Sequence, residues 1–107
     1  MGMDGPFDLV CFHCQQAVEK FMKGLLAFNE IDFPFTHDLG LLAPLFVKLD
    51  ATLVLTTPEV LKLSDYAVKL RYDGRFRPDI REASFAVEVA TRVCDMIAAR
   101  LPADLDK

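Results

Sequence analysis

Three groups of residues in this chain have types and spacings that could do chemistry. Cys11-Phe12-His13-Cys14 puts two thiols and an imidazole within four consecutive positions. Neighbouring thiols suit disulfide exchange or metal ligation. His13 and His37 are the only two histidines, and imidazole can take or give a proton near neutral pH. Lys69, Arg71, Arg75, Arg77 and Arg81 form a basic stretch broken only by Asp73 and Asp79. Guanidinium groups make bidentate contacts with phosphate, and this stretch leads into a predicted helix N-terminus, where anions are favoured.

At ~100° per residue, Cys11, Cys14, Ala17, Val18, Phe21, Met22, Leu25 and Phe28 fall on one broad apolar arc. Both cysteines lie inside it, which makes them small core residues. A redox cysteine needs a helix N-terminus and usually a preceding strand, and nothing before Cys11 reads as a strand. The haem-attachment order places histidine after the second cysteine, whereas His13 lies between the two. A structural zinc needs four ligands, and only Cys94 and His37 are further soft candidates. Core packing is therefore expected, with no metal and no cofactor.

His13 points away from the thiols and shares a face with Gln16, Lys20 and Lys23. Gly24 and Ala27 on that face are small and leave room for a close neighbour. The face is either a solvated helix surface or a polar groove.

Four helical segments must position these groups. The first spans 7–29 and gives way to a connector at Ile31-Asp32-Phe33-Pro34-Phe35, because the residue before a proline is pushed out of helix. Thr36 is the expected N-cap of the second, with Asp38 in its first turn. Its apolar stripe is Leu41, Leu42, Leu45, Phe46 and Leu49, and Pro44 must kink or divide it. A loop spans 50–57, with Leu53-Val54-Leu55 a candidate extended piece. Thr57-Pro58-Glu59 is a start signal for a third helix reaching Arg71. After a loop containing Gly74, the fourth helix spans 79–101 and stops at Pro102. Short connections between four helices imply an all-α, up-and-down four-helix bundle.

Length and composition bound the rest. The 107 residues fit one domain, 1–107. A hydrophobic content of 52% with mean hydropathy +0.24 is apolar for a small chain, so some apolar surface is expected to meet another chain. No apolar run approaches the ~20 residues of a membrane span. The N-terminus carries no signal-type pattern, and three cysteines make an odd count. Both features point to a cytoplasmic protein with reduced thiols. A net charge of −4 argues against indiscriminate nucleic-acid binding and leaves room for one local basic site.

Phe12-His13-Cys14-Gln15-Gln16-Ala17-Val18-Glu19-Lys20, followed by Lys23-Gly24-Leu25-Leu26, closely resembles the signature helix of HEPN domains. Thr36-His37-Asp38-Leu39 is similar to the second family signature, and Arg71-Tyr72 to an arginine-tyrosine that many members carry before the last helix. The resemblance covers nearly the whole chain. It implies an all-α bundle that usually homodimerises, among small prokaryotic proteins often paired with a minimal nucleotidyltransferase and among ribonucleases of toxin and defence systems. It also implies a candidate nucleotide site. Two departures stand out. The ribonucleases carry an arginine followed after four to six residues by histidine, whereas here every arginine, from Arg71 onward, comes after both histidines. Relatives of this type also usually have a complete helix before the signature helix. Its place is expected to be empty here or filled by another chain.

On the last helix, Ile80, Ala83, Val87, Ala90, Cys94, Ile97 and Leu101 form the expected core stripe. Phe85, Val89, Val93 and Met96 form a second stripe, which packs within the bundle or makes a two-fold interface. The resemblance favours the interface. The expected ligand or phosphate site is His13, Gln16, Lys20, His37, Arg71, Tyr72 and Arg75, with salt bridges at a solvated surface as the alternative for the arginines. No catalytic residue is assigned. The expected function is a non-catalytic homodimer paired with a minimal nucleotidyltransferase. The alternatives are a nucleotide- or RNA-binding module, and a ribonuclease using an unusual set such as His13, His37 and Arg71.

Overall fold

The computed structural model describes residues 6–47, 49, 58–72 and 78–101. Helix α1 spans Pro6–Phe28, α2 Leu39–Leu42, α3 Pro58–Tyr72 and α4 Ile80–Ala98. A 3₁₀ turn, Ala43–Val47, follows α2 directly. There is no strand among the described residues, and the all-α bundle is as the sequence implies.

Proline opens both α1 and α3, where its missing N–H costs nothing, and Asp8 or Glu59 follows in the first turn. α1 ends in a reciprocal pair of backbone bonds: Ile31 N–H donates to Leu26 O at 2.9 Å and Glu30 N–H to Ala27 O at 3.0 Å. That closure needs a left-handed residue, and Glu30 supplies it at φ 57°, a position usually given to glycine.

The second segment is shorter than the sequence predicts. Its N-cap is Asp38, not Thr36: the Asp38 side chain accepts from Gly40 N–H at 2.8 Å, while Thr36 Oγ1 accepts from Asp38 N–H at 3.0 Å. The two capping acceptors sit two residues apart, and the aspartate lies where the helix turns. Pro44, which has no N–H, ends the α-geometry, and the chain tightens into the 3₁₀ turn. Leu39, Leu42, Ala43 and Phe46 are nonetheless fully buried, each large one contributing roughly 1.5–3 kcal/mol. The 50–57 loop, its Leu53–Leu55 piece and the Thr57 cap lie outside the described residues.

Three long helices make the frame. Glu59 near the start of α3 meets Arg92 late in α4 at 3.3 Å, and Tyr66 packs its ring edge against Phe85. α3 therefore runs antiparallel to α4. Phe7 and Val10 line one groove with Ile80, Ala83 and Val87, so α1 and α4 run side by side with their N-termini together. α1 makes its most extensive packing against α4. The start of α4 is held by a reciprocal cap, with Glu82 N–H donating to Asp79 Oδ1 at 2.9 Å and Asp79 N–H to Glu82 Oε1 at 3.2 Å.

Two faces are rotated from their sequence reading. On α1 the buried side includes Cys11, Gln15, Val18, Met22, Leu25 and Leu26, while Phe28 is exposed. On α4, Val89 and Val93 are only 2% exposed and belong to the chain's own core, with Phe85 and Met96 packed against it. These residues therefore do not form an open interface stripe. Ile80 and Val87, expected inside, are 62% and 46% exposed. Ala83, Ala90 and Ile97 of the expected core stripe are buried with Val89 and Val93, so α4 turns a face that takes in parts of both stripes toward the core, chiefly against α1.

Candidate ligand site and family

Gln15, Glu19 and Lys23 recur every four residues along α1 and so stack on one face. The connector after α1 folds back over that face and delivers His37. Gln15, fully buried, donates from Nε2 to the His37 carbonyl at 2.9 Å and to Glu19 Oε1 at 3.3 Å. Lys23 Nζ donates to Glu19 Oε2 at 3.0 Å. His37 Nδ1 lies 2.9 Å from Glu19 Oε2 and 3.1 Å from Oε1.

A carboxylate can only accept, so in this pair His37 donates from Nδ1–H to Glu19. Burial acts to raise the Glu19 carboxyl, but hydrogen bonds from Lys23, His37 and Gln15 outweigh it and hold the group below its ordinary value. The His37 side chain is 50% exposed. Beside it stands Phe35, 99% exposed, its ring meeting the imidazole edge-on at 6.4 Å. Lys23 Nζ lies 5.9 Å from the same ring. An imidazole, an ammonium and a phenyl ring thus share one spot over a buried carboxylate. Such a set can meet an anion and a flat ring together.

A second joint fixes α2 on α3. Ser64 Oγ accepts from the buried Leu39 N–H at 3.0 Å and lies 3.4 Å from Asp38 Oδ1. The two halves of Thr36-His37-Asp38-Leu39 therefore face different helices: His37 is held by α1, and Asp38-Leu39 by α3. Gly40 fits closely here: a Cβ at that position would sit 3.1 Å from both Asp38 Oδ1 and Leu61 Cδ2, so those side chains would have to shift by a few tenths of an ångström.

The sequence-predicted site is only partly assembled. His37 is in the network, and half-buried Gln16 touches it through Gln15 Oε1 at 3.4 Å. His13 and Lys20 are exposed on the neighbouring face of α1, and among the described residues neither hydrogen-bonds to His37. Arg71 and Tyr72 close α3, their side chains outside the described set, and Arg75 and Arg77 lie outside the described residues. Sequence reasoning missed Gln15 and Glu19 as site residues. Their repeat of four, ending at Lys23, was the available signal.

Cys11 is buried in the core, and Cys14 and Cys94, partly buried, pack against it. Burial, with smaller effects from Cys14, Glu82 and Asp8, pushes the Cys11 thiol up to about 11. Burial likewise pushes Cys94 up to about 11 and raises Cys14. Activated thiols shift the other way. All three are free, and among the described residues no three His, Cys, Asp or Glu side chains cluster as metal ligands do.

The family model of the HEPN domain matches residues 3–101. The chain belongs to the HEPN family. No curated protein and no solved structure matches it. In this HEPN domain the two signature stretches are partners in one joint, Gln15 and Glu19 from the first binding His37 from the second. No helix among the described residues is long and apolar enough to cross a membrane.

Proposed function

We propose that this chain is a cytoplasmic, non-catalytic HEPN protein that forms a homodimer and pairs with a minimal nucleotidyltransferase, in the manner of a toxin–antitoxin couple. The observation that carries the reading is the employment of His37. Its Nδ1 is committed to Glu19 and its carbonyl to Gln15, so the signature residues hold α1 to the connector. The sequence pattern supports it as well, since no arginine precedes either histidine. Proton transfer by the family's ribonuclease route needs that histidine placed after the arginine. The test is co-expression of the tagged chain with a minimal nucleotidyltransferase from the same genome, with RNA cleavage assayed on the purified product. A stable complex without cleavage is expected. Cleavage by the purified chain that His37→Ala abolishes would overturn the reading in favour of a ribonuclease.

A second reading, binding of a nucleotide or phosphate, is supported by the exposed grouping of Lys23, His37 and Phe35. The basic residues Arg71 and Arg75 belong to the same reading by sequence alone. Titration with fluorescent ATP should give binding that weakens on His37→Ala and on Arg71→Ala with Arg75→Ala, and that falls with salt. Binding unchanged in both variants, with the fold intact, would remove it.

A further inference from the structure

One face of α4 has the pattern of a surface made to meet its own copy. Ile80 and Val87 are large, apolar and exposed. With Phe7, Val10, Ala83 and Glu88 they line an open groove of about 420 Å³ between α1 and α4. Ile80 and Val87 are seven residues apart, as are Arg81 and Glu88. Seven residues make nearly two turns, so each pair lies along one side of the helix. Ser84, exposed and small, lies within about half a residue of the midpoint of each pair and separates the apolar row from the charged row. Among the described residues neither Arg81 nor Glu88 takes part in an ion pair.

These placements are self-complementary. A two-fold axis lying across the helix at Ser84 reverses its direction but sets each row over the same row of the copy. Arg81 then meets the partner's Glu88 and Glu88 meets the partner's Arg81. Ile80 meets the partner's Val87, and both apolar side chains enter the groove beside α1. A parallel arrangement would give neither match. We infer that this face docks a second copy of the chain, α4 antiparallel to the partner's α4 about an axis at Ser84. The inference rests on the homodimer of the proposed function and assigns it a face. That face replaces the Phe85–Met96 stripe, whose Val89 and Val93 the chain buries itself.

The experiment is sedimentation equilibrium of the purified full chain across the micromolar range. Arg81→Glu and Glu88→Arg should each weaken the dimer by about ten-fold or more, because each sets like charges opposite one another twice. The double reversal should return the dissociation constant to near the wild-type value. Both side chains are exposed, so the far-UV spectrum should be unmoved; if a single reversal fails to fold, Ser84→Cys supplies the readout, giving a covalent dimer on mild oxidation. A wild-type dimer indifferent to both reversals and not cross-linked through position 84 overturns the face and leaves the homodimer standing. A wild type that sediments as a monomer overturns both.

Discussion

Replacing Glu19 with glutamine removes one negative charge, keeps the shape, and tests whether the carboxylate is the hub of the α1–connector joint. In the wild type it accepts from Lys23 at 3.0 Å and from His37 at 2.9 Å while almost entirely buried. Hydrogen bonds to a charged group contribute about 1.5–3 kcal/mol against about 0.5–1.5 for neutral ones. Two such bonds would therefore lose about 2 kcal/mol together. The half-exposed His37 and part-exposed Lys23 reduce this to about 1–2 kcal/mol. For a chain of this length that is a fall in Tm of roughly 5–15 °C.

The pH dependence gives a sharper check. The Glu19 carboxyl is held below 4.5 in the fold. As pH falls, the unfolded chain therefore binds the proton first. Glu19 contributes its full stability above the ordinary carboxyl value, and loses it as pH drops through the depressed folded value. The glutamine variant has nothing to lose there. Urea unfolding followed by far-UV circular dichroism, at pH 7 and then in steps down to pH 3, should show the gap between wild type and Glu19→Gln closing in the acid range. A constant gap, or none at pH 7, would refute the claim that the charge organises the joint.

Three further outcomes follow from local geometry. Ser64→Ala leaves the buried Leu39 N–H without its acceptor and should cost about 1–3 kcal/mol by urea unfolding, whereas a surface serine would cost almost nothing. Glu30→Gly relieves a left-handed non-glycine residue at the end of α1 and should stabilise by about 1 kcal/mol; a destabilised variant would mean that the Glu30 side chain has a role of its own. The thiols of Cys11 and Cys94, pushed up to about 11, should react with a disulfide reagent at pH 8 far more slowly in the folded chain than in guanidinium, and equal rates would contradict their burial.

What the sequence disclosed and what it hid divide along a physical line. Periodicity sees one helix at a time, so the long helices, the start at Pro58 and the interruption at Pro44 were all legible. The reading of Cys11 as core was legible too, because an apolar arc needs no knowledge of the neighbour that covers it. On α4, by contrast, Val87 and Val89 are equally good core residues by type. Only the crossing against α1 and α3 buries one and exposes the other. Thr36 and Asp38 are equally good caps, and the choice between them rested on where the connector turns. Glu19 was hidden for a related reason. A charged residue on a helix reads as solvated until something arrives to desolvate and satisfy it, and here that group is His37, eighteen residues on. Its companion Gln15 is buried with no signal in its own residue type. The family signatures carried what periodicity could not, since Gln15, Glu19 and His37 fall inside the two stretches that resemble them. Those stretches were recognisable as letters before their contact was known. The contact gives a physical reason for them to occur together: a buried glutamine and carboxylate are tolerable on α1 only while the connector's histidine and carbonyl lie over them.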